Sequence, residues 1–272
     1  MSVFLLTTES STNSNTRLSI RLSQDGFSFW IIDEQSRLLQ DYGESSAKQD
    51  TDAGENDILE QLTQTILDCK ENIEAVSLIY TTEVVIVHQS VFDEGQLKNY
   101  FQLSAPLNDC DLTYLSDDFE RNYVFKKLPE VESLLIEHFD SFDLEHSART
   151  ISQFKIPKTI DQNFDEDLVI ASIDSYRIEI SLYQKARLQM FNSFPLVGGE
   201  DCLYYILNAI QQCEGKVQNT QLLLLGQKTQ ITNFEESHGT HFKSCRSADF
   251  FDIDLNYPKK KPPMAIFSSM MT

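Results

Sequence analysis

Residues 168–182, LVIASIDSYRIEISL, carry the clearest structural pattern in the second half of the chain. Apolar residues recur at every second position on both sides of a polar turn, which predicts two half-buried strands in a hairpin. Residues 18–31, LSIRLSQDGFSFWI, have the same form, with Asp25-Gly26 at the turn. Since Asp-Gly tolerates the positive φ values of a tight hairpin turn, each half of the chain is predicted to open with a hairpin.

Each half then continues with the same three elements in the same order. A third strand, an amphipathic helix and a buried strand are predicted at residues 37–42, 58–67 and 76–80. Their counterparts in the second half are residues 187–194, 203–210 and 222–225. Three strands, a helix and a strand, given twice, resemble the ribonuclease-H-like fold in duplicate. The same pattern also allows a tandem α/β protein without duplication.

The predicted fold class is therefore α/β, with two tandem ribonuclease-H-like domains. The first domain is expected at residues 1–155 and includes an extra middle segment, with a strand at 84–87, a helix at 93–103, a strand at 123–125 and a helix from Pro129. The second is expected at residues 156–272, with a C-terminal tail. It is expected to contain a short helix at residues 232–237, a strand near 242–245 and a last helical turn at 264–270. The hinge is placed within residues 152–163, which contain Pro157 and few large apolar side chains.

The charge of the chain excludes several classes of partner. The 272 residues carry a formal net charge of −20, and their hydrophobic content of 41% is that of a globular protein. Binding to DNA or RNA needs clustered Lys and Arg at the phosphates, so we expect no nucleic-acid partner.

The apolar runs and the cysteines predict a cytoplasmic protein. No run approaches the roughly 20 apolar residues that a bilayer needs, so no direct membrane insertion is expected. The five cysteines are odd in number and contain no Cys-x-x-Cys pair, which favours buried thiols in a reducing compartment over disulfides.

Two short motifs carry a family resemblance. Residues 197–201, VGGED, resemble the Gly-Gly-Glu-Asp that opens a helix in the second domain of the heat-shock chaperone ATPases. Residues 222–229, LLLLGQKT, are similar to the adenosine-side strand and loop of those proteins. The resemblance extends to the actin and sugar-kinase superfamily and to actin-like pilus-assembly and cell-division proteins. The nearest match is an uncharacterised bacterial family of this fold from Bacteroidetes. The resemblance to this superfamily implies the actin-like ATPase fold, with ATP and Mg²⁺ in a cleft between two domains.

Both hairpins depart from the pattern that this superfamily needs at its phosphates. There, glycines let the backbone N–H groups approach phosphate oxygens, and an Asp near each hairpin positions Mg²⁺. In this chain the two acidic positions fall on Arg21 and Ser172, and a glycine position of the first hairpin falls on Ser23. In the second hairpin, the bulky Tyr176 and Arg177 would crowd a triphosphate.

The losses predict a degenerate, non-catalytic relative of the ATPases, acting as a scaffold or regulator through contacts with a protein partner. No cofactor is then expected. The alternative is an ATP-binding phosphotransferase or ATPase with atypical phosphate contacts. In that case ATP with Mg²⁺ would be held by Asp174, Arg177, Glu179, Gly198, Gly199 and Gly226. The glycines also fit a structural role at a helix entry and a strand-to-helix turn.

A third hypothesis concerns a metal site near the end of the second half. His238, His241 and Cys245 have a spacing that Zn²⁺ ligands use, with Asp249 as a fourth ligand. A lone His-x-x-His in a polar segment is usually exposed to solvent, so no metal is predicted.

Overall fold

The first half of the chain is built on a five-stranded sheet. The computed structural model describes residues 15–23, 26–36, 38–46, 54–103, 105–106, 111–153, 167–173, 177–185, 187–198, 200–226 and 228–247. The elements of the first half are β1 (Thr16–Ser23), β2 (Gly26–Asp33), β3 (Leu38–Ser46), α1 (Gly54–Cys69), β4 (Ala75–Tyr80), β5 (Val84–His88), α2 (Leu97–Phe101), β6 (Leu112–Ser116), β7 (Arg121–Lys126), α3 (Pro129–His138), β8 (Asp143–His146) and α4 (Ser147–Gln153). The sheet has the order β3-β2-β1-β4-β8.

The second half repeats this sheet. Its elements are β9 (Asp167–Ile173), β10 (Arg177–Gln184), β11 (Arg187–Pro195), α5 (Asp201–Gln212), β12 (Thr220–Gly226), α6 (Lys228–His238) and β13 (Ser244–Ser247). The order is β11-β10-β9-β12-β13. In both sheets the first strand is antiparallel to the second and parallel to the strand after the long helix. The duplicated α/β architecture is thus confirmed, while the predicted boundary at 155/156 lies outside the described residues and stays a prediction.

Each sheet has its own hydrophobic core. In the first, the apolar face of α1 packs Ile58, Leu62 and Ile66 against strand residues that include Leu18 and Leu78. In the second, the leucines of β12 are buried on both faces of the strand, as its continuous apolar run predicts. Each core is formed by residues of one half of the chain.

The middle segment forms a small sheet of its own, with the order β5-β7-β6 among the described strands. Val87, Phe101 and Val124 form its core. The predicted helix at 93–103 is wrong in extent, since only Leu97–Phe101 is α-helical and a 3₁₀ turn at Glu94–Gln96 precedes it. The side chain of Asp93 accepts the Gly95 amide at 2.9 Å, and this local bond competes with the first helical turn.

Several predicted boundaries also move. The third strand of the first half extends beyond residue 42 to Ser46, and α6 is longer than the short helix predicted at residues 232–237. The last strand lies at Ser244–Ser247, slightly later than the predicted residues 242–245. The final helical turn predicted at residues 264–270 lies outside the described residues.

Candidate functional site

The two hairpins meet through a buried ion pair. Arg21 lies on β1 in the first hairpin, and Glu179 lies on β10 in the second. Nη2 of Arg21 is 3.1 Å from Oε2 of Glu179, and the two side chains are only 8% and 2% exposed. The residue at the acidic position of the first hairpin is therefore a cation that binds the opposite hairpin.

The other oxygen of Glu179 is also bound by the first domain. Ser147, the first residue of α4, donates its hydroxyl to Oε1 of Glu179 at 2.5 Å. One carboxylate oxygen binds Arg21 and the other binds Ser147, so Glu179 contacts both β1 and α4 of the first domain. Nothing in the sequence pattern points to Ser147, because it lies in a short, mixed segment far from either hairpin.

His146 supports this contact as a neutral residue. Its Nδ1 accepts the Ala148 amide at 3.1 Å, so Nε2 carries the proton and donates to the Thr82 carbonyl at 3.2 Å. Burial, opposed by the bond to Thr82 and helped by the charge of Arg21, lowers the pKa of His146 to about 3. The imidazole is therefore uncharged at neutral pH and positions α4 rather than carrying protons.

A second ion pair crosses the domains beside the first. Nη2 of Arg177 lies 3.6 Å from Oε1 of Glu83, in the segment between β4 and β5. Nε of Arg177 donates to Ser193 at 3.1 Å. The sequence predicts that Arg177 either crowds a triphosphate or, in the alternative hypothesis, binds its negative charge. The anion that it meets in the structure is a carboxylate of the first domain.

A third contact joins the domains away from the hairpins. The Tyr183 hydroxyl donates to the Ile151 carbonyl on α4 at 3.0 Å. Burial raises the pKa of this phenol, so it remains a protonated donor. All three contacts tie β10 of the second domain to the first domain: the first to β1 and α4, the second to the segment between β4 and β5, and the third to α4.

The backbone amides just before α5 are hydrogen-bonded to a side chain of the same segment. The amides of Val197 and Gly198 each donate to Oδ2 of Asp201 at 2.7 Å. These two bonds lower the pKa of Asp201, which keeps the carboxylate charged. Both amides precede the helix, and each binds the carboxylate of its first residue. Gly199 lies outside the described residues.

Gly226 has a structural reason to be glycine. Its φ is +144°, a conformation that L side chains rarely adopt. A Cβ atom at this position would lie 2.2 Å from the Ile173 carbonyl oxygen, at the end of the neighbouring strand β9. Gly226 thus allows β12 to approach β9 closely. Asp174, the remaining predicted contact, lies outside the described residues.

A pocket of about 480 Å³ remains between the entry of α5 and the face of α6. Its lining includes Gly198, Glu200, Gln230, Asn233, Phe234 and His238. Oε1 of Gln230, a lining residue, is itself buried and has no hydrogen-bond partner among the described residues. Of the predicted nucleotide contacts, Gly198 lies in this pocket, whereas Arg177 and Glu179 are engaged by the first domain.

The residues considered as zinc ligands in the third hypothesis are not grouped into a metal site among the described residues. Within the described part of the chain, no three His, Cys, Asp or Glu side chains are grouped as metal ligands would be. His238 packs edge-on against Phe234, with 5.1 Å between ring centroids. Burial, with a smaller contribution from Glu235, raises the pKa of Cys245 to about 12, which disfavours the thiolate that zinc requires. Asp249 lies outside the described residues.

The residues present do not fit Mg²⁺-ATP in the manner of the superfamily. One acidic position is occupied by Arg21, whose charge would repel the metal. The other is Ser172, which is buried directly across from Glu179 on β9, with its hydroxyl unbonded among the described residues. A hydroxyl alone supplies no charge to a divalent cation, so neither position offers Mg²⁺ a carboxylate.

Among the described helices, none combines the length and apolar character needed to cross a membrane.

Comparison with known proteins gives a family and a fold. The family described as "Protein of unknown function (DUF3822)" matches residues 7–245. A crystal structure from Bacteroides thetaiotaomicron VPI-5482, of a protein with actin-like ATPase fold and unknown function, is similar with a TM-score of 0.74 and 16% identity, covering 95% of this chain and 96% of that one. A chain of the PilM-PilN type IV pilus biogenesis complex is similar with a TM-score of 0.52 and 9% identity, covering 89% and 90%. No curated protein matches.

Proposed function

We propose that this chain, which belongs to the DUF3822 family and has the actin-like ATPase fold, is a non-catalytic relative of those ATPases that works as a scaffold or regulator through protein contacts. The observation that carries the proposal is the buried contact of Glu179 with Arg21 and Ser147. It occupies the space between the two hairpins, which is where the superfamily resemblance would put the phosphates.

The energy of this contact argues against phosphate binding. A triphosphate between the hairpins would have to separate Arg21 from Glu179 and leave the carboxylate buried beside an anion. Breaking a buried ion pair on one side costs about 3–5 kcal/mol. At 1.4 kcal/mol per tenfold change, that penalty weakens binding by about two to four orders of magnitude. On this proposal the chain keeps the fold of the ATPases but does not bind ATP.

A protein partner follows from the fold and the charge. A fold supports many functions, and the similar chain in the PilM-PilN complex belongs to an assembly of proteins. By analogy, we assign this chain a protein partner in the cytoplasm. Its net charge of −20 favours a partner with a basic surface, because opposite charge speeds association and suppresses wrong partners.

One observation favours the second candidate, an ATP-binding protein with atypical phosphate contacts. The pocket beside α6 is about 480 Å³, within the usual range for small ligands, and contains both the aromatic ring of Phe234 and the unpartnered Gln230 oxygen. A heterocycle with an N–H donor would bind that oxygen once the buried Gln230 amide turns toward the pocket. The phosphates of such a nucleotide would have to extend out of the pocket in a direction away from the contact between Glu179 and Arg21.

Calorimetric titration with Mg²⁺-ATP, and separately with adenosine, distinguishes the two candidates. The scaffold hypothesis predicts no heat and no thermal shift with Mg²⁺-ATP, and no release of phosphate. Micromolar binding with turnover would establish the enzyme instead. If adenosine alone binds, Gln230→Leu should remove its binding, whereas Gln189→Leu, on exposed β11, serves as the matched control.

A further inference from the structure

A groove runs between the two domains on the side of the small sheet. This edge groove, of about 630 Å³, lies between β5 of the first domain and β11 of the second. Val84, Val85, Ile86, Met190, Phe191 and Phe194 provide most of its apolar lining. The two charged residues that line it, Glu83 and Arg121, form ion pairs with Arg177 and Asp117. Since Gln189, Asn192 and Ser193 also line it, the groove offers a ligand both apolar side chains and hydrogen-bonding groups.

The lining shows that strand edges face the groove. Side chains alternate between the faces of a strand, so a groove on one face would be lined by every second residue. Here all seven residues from 188 to 194 line the groove, as do three consecutive residues of β5. Both strands are at the edge of their sheets among the described strands. Their outer main-chain groups thus border the groove from opposite sides.

The direction of the amides on β11 can be inferred from one side chain. The Ser193 amide donates to Oδ1 of Asn192 at 2.9 Å, so this N–H points away from β10. In an antiparallel ladder, every second residue has the same direction, which makes the Phe191 N–H point outward as well. An added strand would find this donor in the groove.

Apolar surface continues beyond the groove. Leu103, which lines it from the turn after α2, is 82% exposed. At the other end, Phe194 stacks on Tyr205 with 4.3 Å between ring centroids, and the neighbouring Tyr204 is 64% exposed. Exposed aromatic rings such as these are enriched at protein–protein interfaces.

We infer that the edge groove binds an extended segment of a partner protein, which adds a strand to β11 and carries apolar residues at alternate positions and a net positive charge. The strand edges determine the extended form, and the alternation follows from the pleat. The charge follows from complementarity, since this chain carries −20. A second copy would bring another −20 and be repelled. The inference rests on the proposed function, for which it supplies the contact surface.

A phage-displayed library of random twelve-residue peptides tests this inference on the full chain. The library contains extended segments long enough to cover the nine residues of β11. Selected peptides should have apolar residues at alternate positions and a net positive charge. The best of them, made as a synthetic peptide, gives a dissociation constant by fluorescence polarisation.

Three variants locate the binding. Leu103→Lys places a charge in the groove at a position exposed enough to leave folding intact, and should weaken binding at least tenfold. Phe191→Pro removes the outward amide from an edge strand, where proline is tolerated, and should also weaken it at least tenfold. Val91→Lys is the matched control, since Val91 is 67% exposed and does not line the groove, and should change nothing.

The inference is overturned if no peptide is enriched, if the enriched peptides are acidic or lack alternation, or if both groove variants bind as well as the parent. It is also overturned if sedimentation shows a dimer that Leu103→Lys dissociates, since the occupant is then a second copy. None of these outcomes depends on the Mg²⁺-ATP titration, so the proposed function and this inference fail separately.

Discussion

Glu179 joins the two domains through both of its carboxylate oxygens, and its neighbours leave it 2% exposed. In Glu179→Gln the guanidinium of Arg21 loses the buried carboxylate that it binds at 3.1 Å. We expect the free energy of unfolding to fall by about 3–5 kcal/mol, as for other buried pairs that lose one member. Urea denaturation followed by circular dichroism measures the change.

Two control variants accompany that measurement. Arg21→Met combined with Glu179→Leu removes both charges and should restore most of the loss, because apolar pairs often replace buried ion pairs without cost. Glu83→Gln weakens the longer pair with Arg177, in which the carboxylate is 28% exposed, and should cost less than Glu179→Gln. A Glu179→Gln variant as stable as Glu83→Gln would show that the buried contact does not hold the cleft.

Gly226 provides a backbone test of the second domain. In Gly226→Ala, the methyl group would lie 2.2 Å from the Ile173 carbonyl oxygen at a φ of +144°. Strain of this kind costs about 1–3 kcal/mol before the clash is relieved, so thermal unfolding should occur at a clearly lower temperature. Gly198→Ala is the matched control, since its nearest neighbour is an Asp201 oxygen at 3.8 Å, and it should stay within about 0.5 kcal/mol. Equal effects would contradict the structural role of Gly226.

His146 should make stability depend on pH in a window set by its two pKa values. The folded value is about 3 and the ordinary value is 6.5, so the unfolded state binds a proton in this window that the folded state does not. Stability is complete above pH 6.5 and falls as the pH drops, by up to about 1.4 kcal/mol per pH unit. Urea denaturation between pH 6.5 and 5.5, above the range in which carboxylates titrate, should show a shallower slope for His146→Asn. An unchanged slope would contradict the burial of a neutral imidazole.

At the scale of the element, the N-terminus of α5 is closed by its own carboxylate. In Asp201→Ala the amides of Val197 and Gly198 lose their acceptor, and their hydrogen exchange should become at least tenfold faster. Asp201→Asn retains an oxygen at the same place and should keep most of the protection. Equal exchange in all three proteins would mean that these amides bind something other than Asp201.

The regular elements are those that a sequence pattern can predict. The hairpins, α1, α5 and β12 were predicted because each buries a long, periodic apolar face in one sheet. β6 and β8 were not, because they are short and mix polar with apolar residues; β8 reads Asp-Leu-Glu-His. The strand positions of such segments depend on a neighbour that is distant in the chain.

The candidate site shows the same limit more sharply. Arg21 and Arg177 were identified because they replace residues that a phosphate site requires. Their partners could not be identified, since Glu179 is 158 positions from Arg21 and the contact exists only when the domains meet. Ser147 and Glu83 have no local signal for the same reason. The sequence therefore shows which phosphate-site residues are replaced in the hairpins. The contacts that the replacing residues make between the two domains are visible only in the structure.

At the scale of the whole molecule, the contacts of Arg21, Arg177 and Tyr183 all join the same two domains. An ATPase of this fold needs a cleft that admits phosphates between its hairpins, whereas here charged and polar groups of one domain already satisfy those of the other. We therefore propose that the relative position of the domains is fixed rather than controlled by a nucleotide. What the molecule presents to a partner is then its acidic surface and the edge groove.

The most direct test is a crystal structure of the full chain grown with Mg²⁺ and a non-hydrolysable ATP analogue in millimolar excess. We predict that Nη2 of Arg21 stays within hydrogen-bonding distance of Oε2 of Glu179 and that no triphosphate lies between the hairpins. Terminal phosphates bound there, with Arg21 and Glu179 separated, would contradict the proposal.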